Sequence, residues 1–285
     1  MKILIIGGSR FVGPILIKKL LNAGQDVTIF NRGQETTDYH DEVTFVKGDR
    51  NDGFKIDEHF DTVIDMCAYT GDQTQRALGD LSYNFFLHFG SVASYQASEV
   101  FPITENSPLG EWPDMGEYGK GKVECEDVLA KSGKKYATIR PTYILGADNY
   151  LDREHFIYTQ INAGKTIVLP GDGQALVTYA FVEDVAKVLA ILAEKQIEGA
   201  FNCAGGEFVT LKGLVEYMAE LVGREATITY GEDTDRETAM DGVFPFGNYN
   251  MIFSNQKMKD LGVSPTQLFE GLEADYNSHY KNFLQ

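Results

Sequence analysis

The chain has 285 residues, with 42 Asp and Glu against 25 Lys and Arg, and a formal net charge of −17 at pH 7. Hydrophobic residues make up 43% and charged residues 24%, which supplies a core of ordinary size and excludes a disordered chain. The acidity argues against long contacts with phosphate backbones or anionic membranes, although a local basic site can sit on an acidic protein.

Lys2 to Ile6 is a short Ile-rich run and reads as a buried parallel strand. The opening run meets glycine too soon for a signal peptide or a membrane span. Three scattered cysteines, Cys67, Cys125 and Cys203, lack zinc-ligand spacing, so a reduced, cytoplasmic setting is expected. Val12 to Asn22 has helical spacing and stops at Ala23-Gly24. Asp26 to Gly33, Val43 to Asp49 and Asp61 to Tyr69 each read as a strand with its exit loop. "NFFLHFGSVASY" is a strand running into a loop, Glu117 to Lys131 a helix, and "KYATIRPTYILG" a strand ending at Pro141. Such alternation implies right-handed crossovers and a parallel sheet covered on both faces. Beyond Gly146 the pattern mixes helices (Glu154 to Ala163, Val182 to Lys195, Leu211 to Val222) with short strands near Ile167, Gly199 and Ile228. A last helix runs from about Pro265 to Phe283.

The stretch "IIGGSRFVGPI" joins the first strand to the first helix. Gly7 and Gly8 permit a tight turn and let backbone approach a pyrophosphate at the helix N-terminus, and Gly13 lets the helix pack on the strand. Arg10 stands where such loops usually carry glycine, and adds a planar cation beside the phosphates. The second strand ends at Asn31 followed by Arg32, with no acid for a ribose diol. Both changes favour a 2′-phosphate, so NADP is expected ahead of NAD; a solvated turn residue is the plainer account of Arg32.

In "EYGKGK", Tyr118 and Lys122 are four residues apart and share a helix face. A nearby ammonium favours the phenolate and lowers the tyrosine pKa, which makes it a usable acid and base. Ser91, in the preceding "GSVASY", can hydrogen-bond a substrate oxygen; Ser94 competes with it and also reads as a loop cap.

These segments together resemble an extended short-chain dehydrogenase/reductase of the NAD(P)-dependent epimerase/dehydratase superfamily. "IIGGSRFVG" resembles the cofactor loop, "FVKGDRND" the adenine loop and "VIDMCAY" the segment after the fourth strand. "HFGSVASY" and "YGKGK" resemble the serine segment and the Tyr/Lys pair, and "IRPTYILG", "PGDG", "YAFVEDVA", "FNCAGGEFVTL" and "NQKMKDLGVSP" later landmarks. The resemblance implies an α/β fold: a Rossmann-type doubly wound parallel sheet with a small C-terminal substrate lobe. Residues 1–146 would mainly form the dinucleotide-binding domain and 147–285 mainly the lobe, with about 180–203 returning to the core. Ser91, Tyr118 and Lys122 would be catalytic, and Tyr118 and Lys122 would also meet the cofactor, Lys122 at the nicotinamide ribose. Gly7, Gly8, Ser9, Arg10, Phe11, Val12 and Gly13 would surround the pyrophosphate, Asn31 and Arg32 the adenosine ribose, and Asp49 and Arg50 the adenine. Cys67 and Ala68 would line the cofactor through backbone; Pro141 and Tyr143 would lie near the nicotinamide. For Cys67 a small buried hydrophobe is the simpler role.

Two departures qualify the resemblance. "GGxRFxG" is similar to an atypical branch that includes chloroplast stem-loop RNA-binding proteins and bacterial relatives. The arginine by which nucleotide-sugar epimerases usually grip a diphosphate falls on Val177, which weakens a UDP- or GDP-sugar; Arg153 or Lys165 could substitute. The implied activity is hydride transfer on a carbonyl or sugar-like small molecule, ending in epimerisation, dehydration or reduction. The alternative is a non-catalytic NADP- or RNA-binding protein on the same fold, opposed by the acidity and by the lack of interleaved basic and aromatic residues. A homodimer fits this organisation. His40, His59, His88, His155 and His279 are isolated, so no metal site is expected, and His88 reads as a satisfied core residue. "GEDTDRETAMD" reads as a solvated loop or a cover for the substrate. Trp112 suits the substrate entrance and packing equally.

Overall fold

A computed structural model describes residues 1–35, 40–231 and 243–284. The chain opens with β1 (Lys2–Ile6), α1 (Val12–Asn22), β2 (Asp26–Asn31), β3 (Thr44–Lys47), β4 (His59–Asp65), α2 (Gly71–Asp80) and β5 (Ser82–Phe89). It continues through α3 (Gly116–Lys131), β6 (Tyr136–Pro141), β7 (Tyr143–Leu145), α4 (Glu154–Asn162), β8 (Thr166–Pro170) and β9 (Leu176–Phe181). It closes with α5 (Val182–Lys195), β10 (Gly199–Cys203), β11 (Phe208–Thr210), α6 (Leu211–Val222), β12 (Thr227–Gly231), α7 (Gln256–Asp260) and α8 (Leu268–Asp275).

Seven strands form one parallel sheet in the order β10-β6-β5-β4-β1-β2-β3. The order reverses between β1 and β4, and such a reversal opens a crevice beyond the strands' carboxyl ends. The apolar runs exist because both faces are covered: Ile3 and Ile5 pack with Leu16, Val185 and Leu189 on one side. Leu4, Ile6 and Phe86 pack with Ala77, Leu78 and Leu129 on the other. This is the Rossmann-type α/β fold. α5 packs back on α1, and β10 pairs with β6 in the main sheet.

A second core, drawn from residues 92–115 as well as 143–280, surrounds two small sheets, β11-β9-β7 and β12-β8. Tyr158, Tyr179, Val177 and Met218 are buried there. The strand read in "KYATIRPTYILG" ends at Pro141 as expected, and a separate short strand, β7, follows it and pairs with β9 outside the main sheet. One boundary differs from the sequence reading. The last helix begins at Leu268, because Asp184 and Glu207 accept from the Thr266 and Leu268 N–H groups (2.7 and 2.6 Å) and hold the entry extended. It then widens into a π turn over Tyr276–Tyr280. The helix α2 was not legible as a separate element, because much of it is polar and exposed.

A buried polar knot ties α3 to the sheet. The Arg140 guanidinium forms an ion pair with Glu126 and donates to Tyr95 Oη at 2.8 Å. Tyr95 donates on to Asn202 (2.7 Å), and Ser94 Oγ donates to Glu126 (3.0 Å). Both members of the ion pair are nearly inaccessible. We expect Glu126→Ala to cost about 3–5 kcal/mol, because it strands a guanidinium in the core. Urea unfolding of the variant beside wild type measures it.

Candidate active site

A cleft of about 1160 Å³ runs along the carboxyl ends of β1, β2, β4 and β5 and reaches the lobe. Its floor begins with the glycine turn. Gly7 and Gly8 have positive φ (87° and 75°), a conformation in which side chains are strained. A methyl on Gly13 would run into the Gly8 carbonyl, so three glycines set the turn. The N-terminus of α1 faces this turn, and helix N-termini attract anions. The turn, the helix end and the cleft's length fit a dinucleotide.

Lys122 lines the cleft from its floor and is only 2% exposed. Its ammonium donates to the carbonyls of Ala68 (2.8 Å), in the loop after β4, and Phe89 (3.0 Å), at the end of β5. It lies 5.6 Å from the Tyr118 ring centre and 5.1 Å from that of Tyr69. Tyr118 is 43% exposed, lines the cleft, and its hydroxyl has no hydrogen-bond partner among the described residues. Ser91 lines the same cleft and accepts from the Ala93 N–H at 3.1 Å. Ser94 is fully buried in the polar knot, so of the two serines only Ser91 faces the cleft.

The other sequence-derived positions distribute as follows. Ser9, Arg10, Phe11, Val12, Asn31, Arg32, Asp49, Arg50, Cys67, Pro141 and Tyr143 line the cleft; Gly13 and Ala68 stand behind its wall and act through backbone. Asn31 accepts from the Gly33 N–H at 2.7 Å, and Asp49 from the Asn51 N–H at 2.8 Å. The Arg50 guanidinium turns beneath the floor and pairs with Asp65 through both nitrogens (2.6 and 2.9 Å). Burial pushes the Cys67 thiol pKa up, and Asp65 adds to the effect, so a structural cysteine fits better than a reactive one. Val177 is fully buried in the small sheet; Arg153 lines the cleft over the Tyr143 ring (4.9 Å), and Lys165 lies outside it. Trp112 packs on Tyr249 (5.4 Å between ring centres) and not on the cleft wall. Residues 232–242, with most of the acidic stretch, lie outside the described residues.

His88 is fully buried, but it is not the satisfied core residue expected: neither ring nitrogen has a hydrogen-bond partner among the described residues. Its in-register neighbour Asp65 is committed to Arg50. Burial, followed by the Lys122, Arg50 and Arg140 charges, holds its pKa well below the ordinary value, so the ring is neutral.

Sequence reasoning missed Tyr69, Glu35 and Tyr150, which line the cleft from loops. It also missed Gly119 and Gly121, between Tyr118 and Lys122. A methyl on Gly119 would stand 2.8 Å from the Ala93 carbonyl, and one on Gly121 would overlap the Tyr69 carbonyl. Two glycines inside one helical turn were the available signal.

A family model described as the NAD dependent epimerase/dehydratase family matches residues 3–80 and 76–204. The chain belongs to this family. It is similar to the chloroplast stem-loop binding protein of 41 kDa b of Arabidopsis thaliana, 30% identical over 97% of this chain and 78% of that one. It is also similar to a UDP-glucose 4-epimerase of Lactobacillus helveticus, 26% identical over 61% of this chain and 62% of that one. A solved UDP-glucuronic acid 4-epimerase from Bacillus cereus, in complex with NAD, shares the fold with a TM-score of 0.81 at 18% identity, over 100% of both chains. Among the described residues no helix is long and apolar enough to cross a membrane.

Two outcomes follow for this family member. Gly121→Ala should destabilise by about 1–3 kcal/mol through overpacking against backbone. Gly79→Ala, in α2 with open space around it, should instead stabilise by up to about 1 kcal/mol. Denaturant midpoints of the pair test the opposed signs. Glu154 is buried and accepts from the Gly146 N–H and the Asn149 amide. Burial pushes its pKa up to about 7 from 4.5. The folded state therefore keeps a proton that the unfolded state releases, and stability falls as pH rises through that window. Melting temperatures at about pH 5 and pH 8 should converge in Glu154→Gln.

Proposed function

We propose that this chain catalyses nicotinamide-dependent hydride transfer on a carbon bearing a hydroxyl or carbonyl oxygen, in a sugar-like small molecule. The observation that carries this reading is the meeting of Tyr118 and Ser91 in one cleft with the glycine turn, above the buried Lys122 ammonium. Gly7 to Gly13 and the N-terminus of α1 would hold the pyrophosphate, and Pro141 and Tyr143 would border the nicotinamide. When bound, the dinucleotide supplies a hydride acceptor or donor. Tyr118 takes or gives the proton on the substrate oxygen, and Ser91 hydrogen-bonds the same oxygen. Lys122 places a fixed positive charge near the phenol, which stabilises the oxygen when its proton leaves. The geometry holds that charge in place through two carbonyls, so little reorganisation accompanies the step.

NADP is the preferred cofactor in this proposal, with NAD as the alternative. Asn31 binds its own turn, and Arg10 and Arg32 bring cations to the ribose end. Glu35 brings a carboxylate to the same rim, paired with Arg10.

The stem-loop binding relative supports a second reading, a binder of structured RNA. The net charge of −17 opposes it. One experiment separates the two. Turnover of NADH or NADPH with carbonyl and nucleotide-sugar substrates should fall about 100-fold or more in Tyr118→Phe, while dinucleotide binding by calorimetry persists. Equal turnover in the variant removes Tyr118 from the chemistry. An RNA binder would show neither turnover nor dependence on Tyr118.

A further inference from the structure

The loop after β4 carries a tyrosine that the proposed chemistry leaves unused. Tyr69 directly follows Ala68, whose carbonyl accepts from the Lys122 ammonium. Its backbone is clamped from two sides. The Tyr69 N–H donates to Gln73 Oε1 at 2.8 Å, in the first turn of α2. The Tyr69 carbonyl fills the space over Gly121, where a methyl would overlap it. Gly121 lies between Tyr118 and Lys122 on α3, so one helical turn fixes the proposed acid and base and also the main chain of Tyr69.

The Tyr69 side chain enters the cleft, which it lines, and is 50% exposed. Its ring centre lies 6.3 Å from that of Tyr118. The Lys122 ammonium lies over both rings, 5.1 Å from the centre of Tyr69 and 5.6 Å from that of Tyr118. A cation in that position is held by the ring face and not by the hydroxyl. The Tyr69 hydroxyl makes no hydrogen bond among the described residues. Burial, followed by the facing Tyr150 and Tyr118 phenols, pushes its pKa up to about 12. Tyr69 therefore keeps its proton at neutral pH and can donate it in a hydrogen bond.

Two phenols thus flank one ammonium, and the proposed reaction uses only one of them. A phenol with a locked backbone, open toward the cleft beside the reacting oxygen, fits a second oxygen of the substrate. Tyr150 also faces this space, but it stands on the loop after β7 and leans on the side chains of Arg10 (5.9 Å) and Phe11 (6.4 Å between ring centres). Discrimination needs a donor whose position is set before the substrate arrives. Of the two, Tyr69 has its main chain locked against α3.

We propose that Tyr69 is a specificity-determining residue whose hydroxyl donates to the oxygen on the carbon next to the reacting one. The substrate class is then a vicinal diol or an α-hydroxy carbonyl. The proposal rests on the reading that Tyr118 and Ser91 hold the reacting oxygen. Tyr118 takes the oxygen whose carbon gives or receives the hydride, and Tyr69 takes its neighbour. The pair thereby chooses between adjacent carbons of a sugar ring. A substrate without the neighbouring oxygen leaves the Tyr69 donor unmatched, and a site built around a donor disfavours such a substrate.

The test uses matched probes. One pair is 2-hydroxycyclohexanone and cyclohexanone, reduced with NADH or NADPH. The other is UDP-glucose and UDP-3-deoxyglucose, analysed for products with NAD or NADP. The quantity read is the ratio of kcat/KM within each pair. Wild type should favour the hydroxylated member about tenfold or more. In Tyr69→Phe the two members should come within about twofold of each other, through loss on the hydroxylated member alone. Dinucleotide binding by calorimetry should match wild type, and melting curves check the fold of this variant, which keeps the ring over Lys122. Tyr150→Phe should keep the wild-type ratio. A wild type without preference, an unchanged ratio in Tyr69→Phe, or equal loss on both members would each overturn the role of Tyr69 and leave the hydride-transfer site standing. A wild type inert toward every probe with either dinucleotide would overturn the site and the role together.

Discussion

The cleft is organised around one buried ammonium. Lys122 has no carboxylate partner among the described residues, and its charge is met by two backbone carbonyls and the faces of two tyrosines. Desolvating a cation costs free energy unless its donors are satisfied. The Ala68 and Phe89 carbonyls satisfy them only if α3 starts directly above the ends of β4 and β5. The same bonds therefore fix the height of Tyr118 over the sheet. Nearby cations do not compete, because Arg50 is neutralised by Asp65 and Arg140 by Glu126. One positive charge remains uncancelled beneath the phenol.

The parallel sheet was legible because its strands are buried on both faces, which leaves continuous apolar runs between glycine-bearing loops. Tyr118 and Lys122 were legible because a spacing of four has a fixed meaning on a helix. The glycine turn was legible for a similar reason, since Gly7 and Gly8 lie side by side between a strand and a helix. What escaped depends on partners distant in sequence. Tyr150 is an exposed loop tyrosine until the fold sets it beside Arg10 and Phe11. Arg50 looks like a loop cation until Asp65 draws it under the floor. His88 was expected to find a partner, and its neighbour turned out to be already engaged.

The lobe end of the cleft is built differently. Tyr143 hydrogen-bonds Tyr249 (3.0 Å), and Phe246 meets the rings of Tyr143 and Tyr179 edge-on at 4.9 and 5.1 Å. This aromatic block joins β7 and β9 to residues much later in the chain, Phe246 and Tyr249. Arg153 lies over its outer ring. Such contacts are side chain on side chain, and cores of this kind accept exchange among residues of similar volume.

The two glycines of α3 behave in the opposite way. Gly121 faces the Tyr69 carbonyl, and Gly119 the Ala93 carbonyl together with the Met115 Cβ; a carbonyl cannot rotate aside to admit a methyl group as the end of a flexible side chain can. Mutation can thus drift through the aromatic block and retune what fits there. The turn holding the phenol has no such freedom, because its spacing is written in the absence of atoms. On the function proposed, substrate choice can therefore wander across generations while the proton-transferring turn stays put.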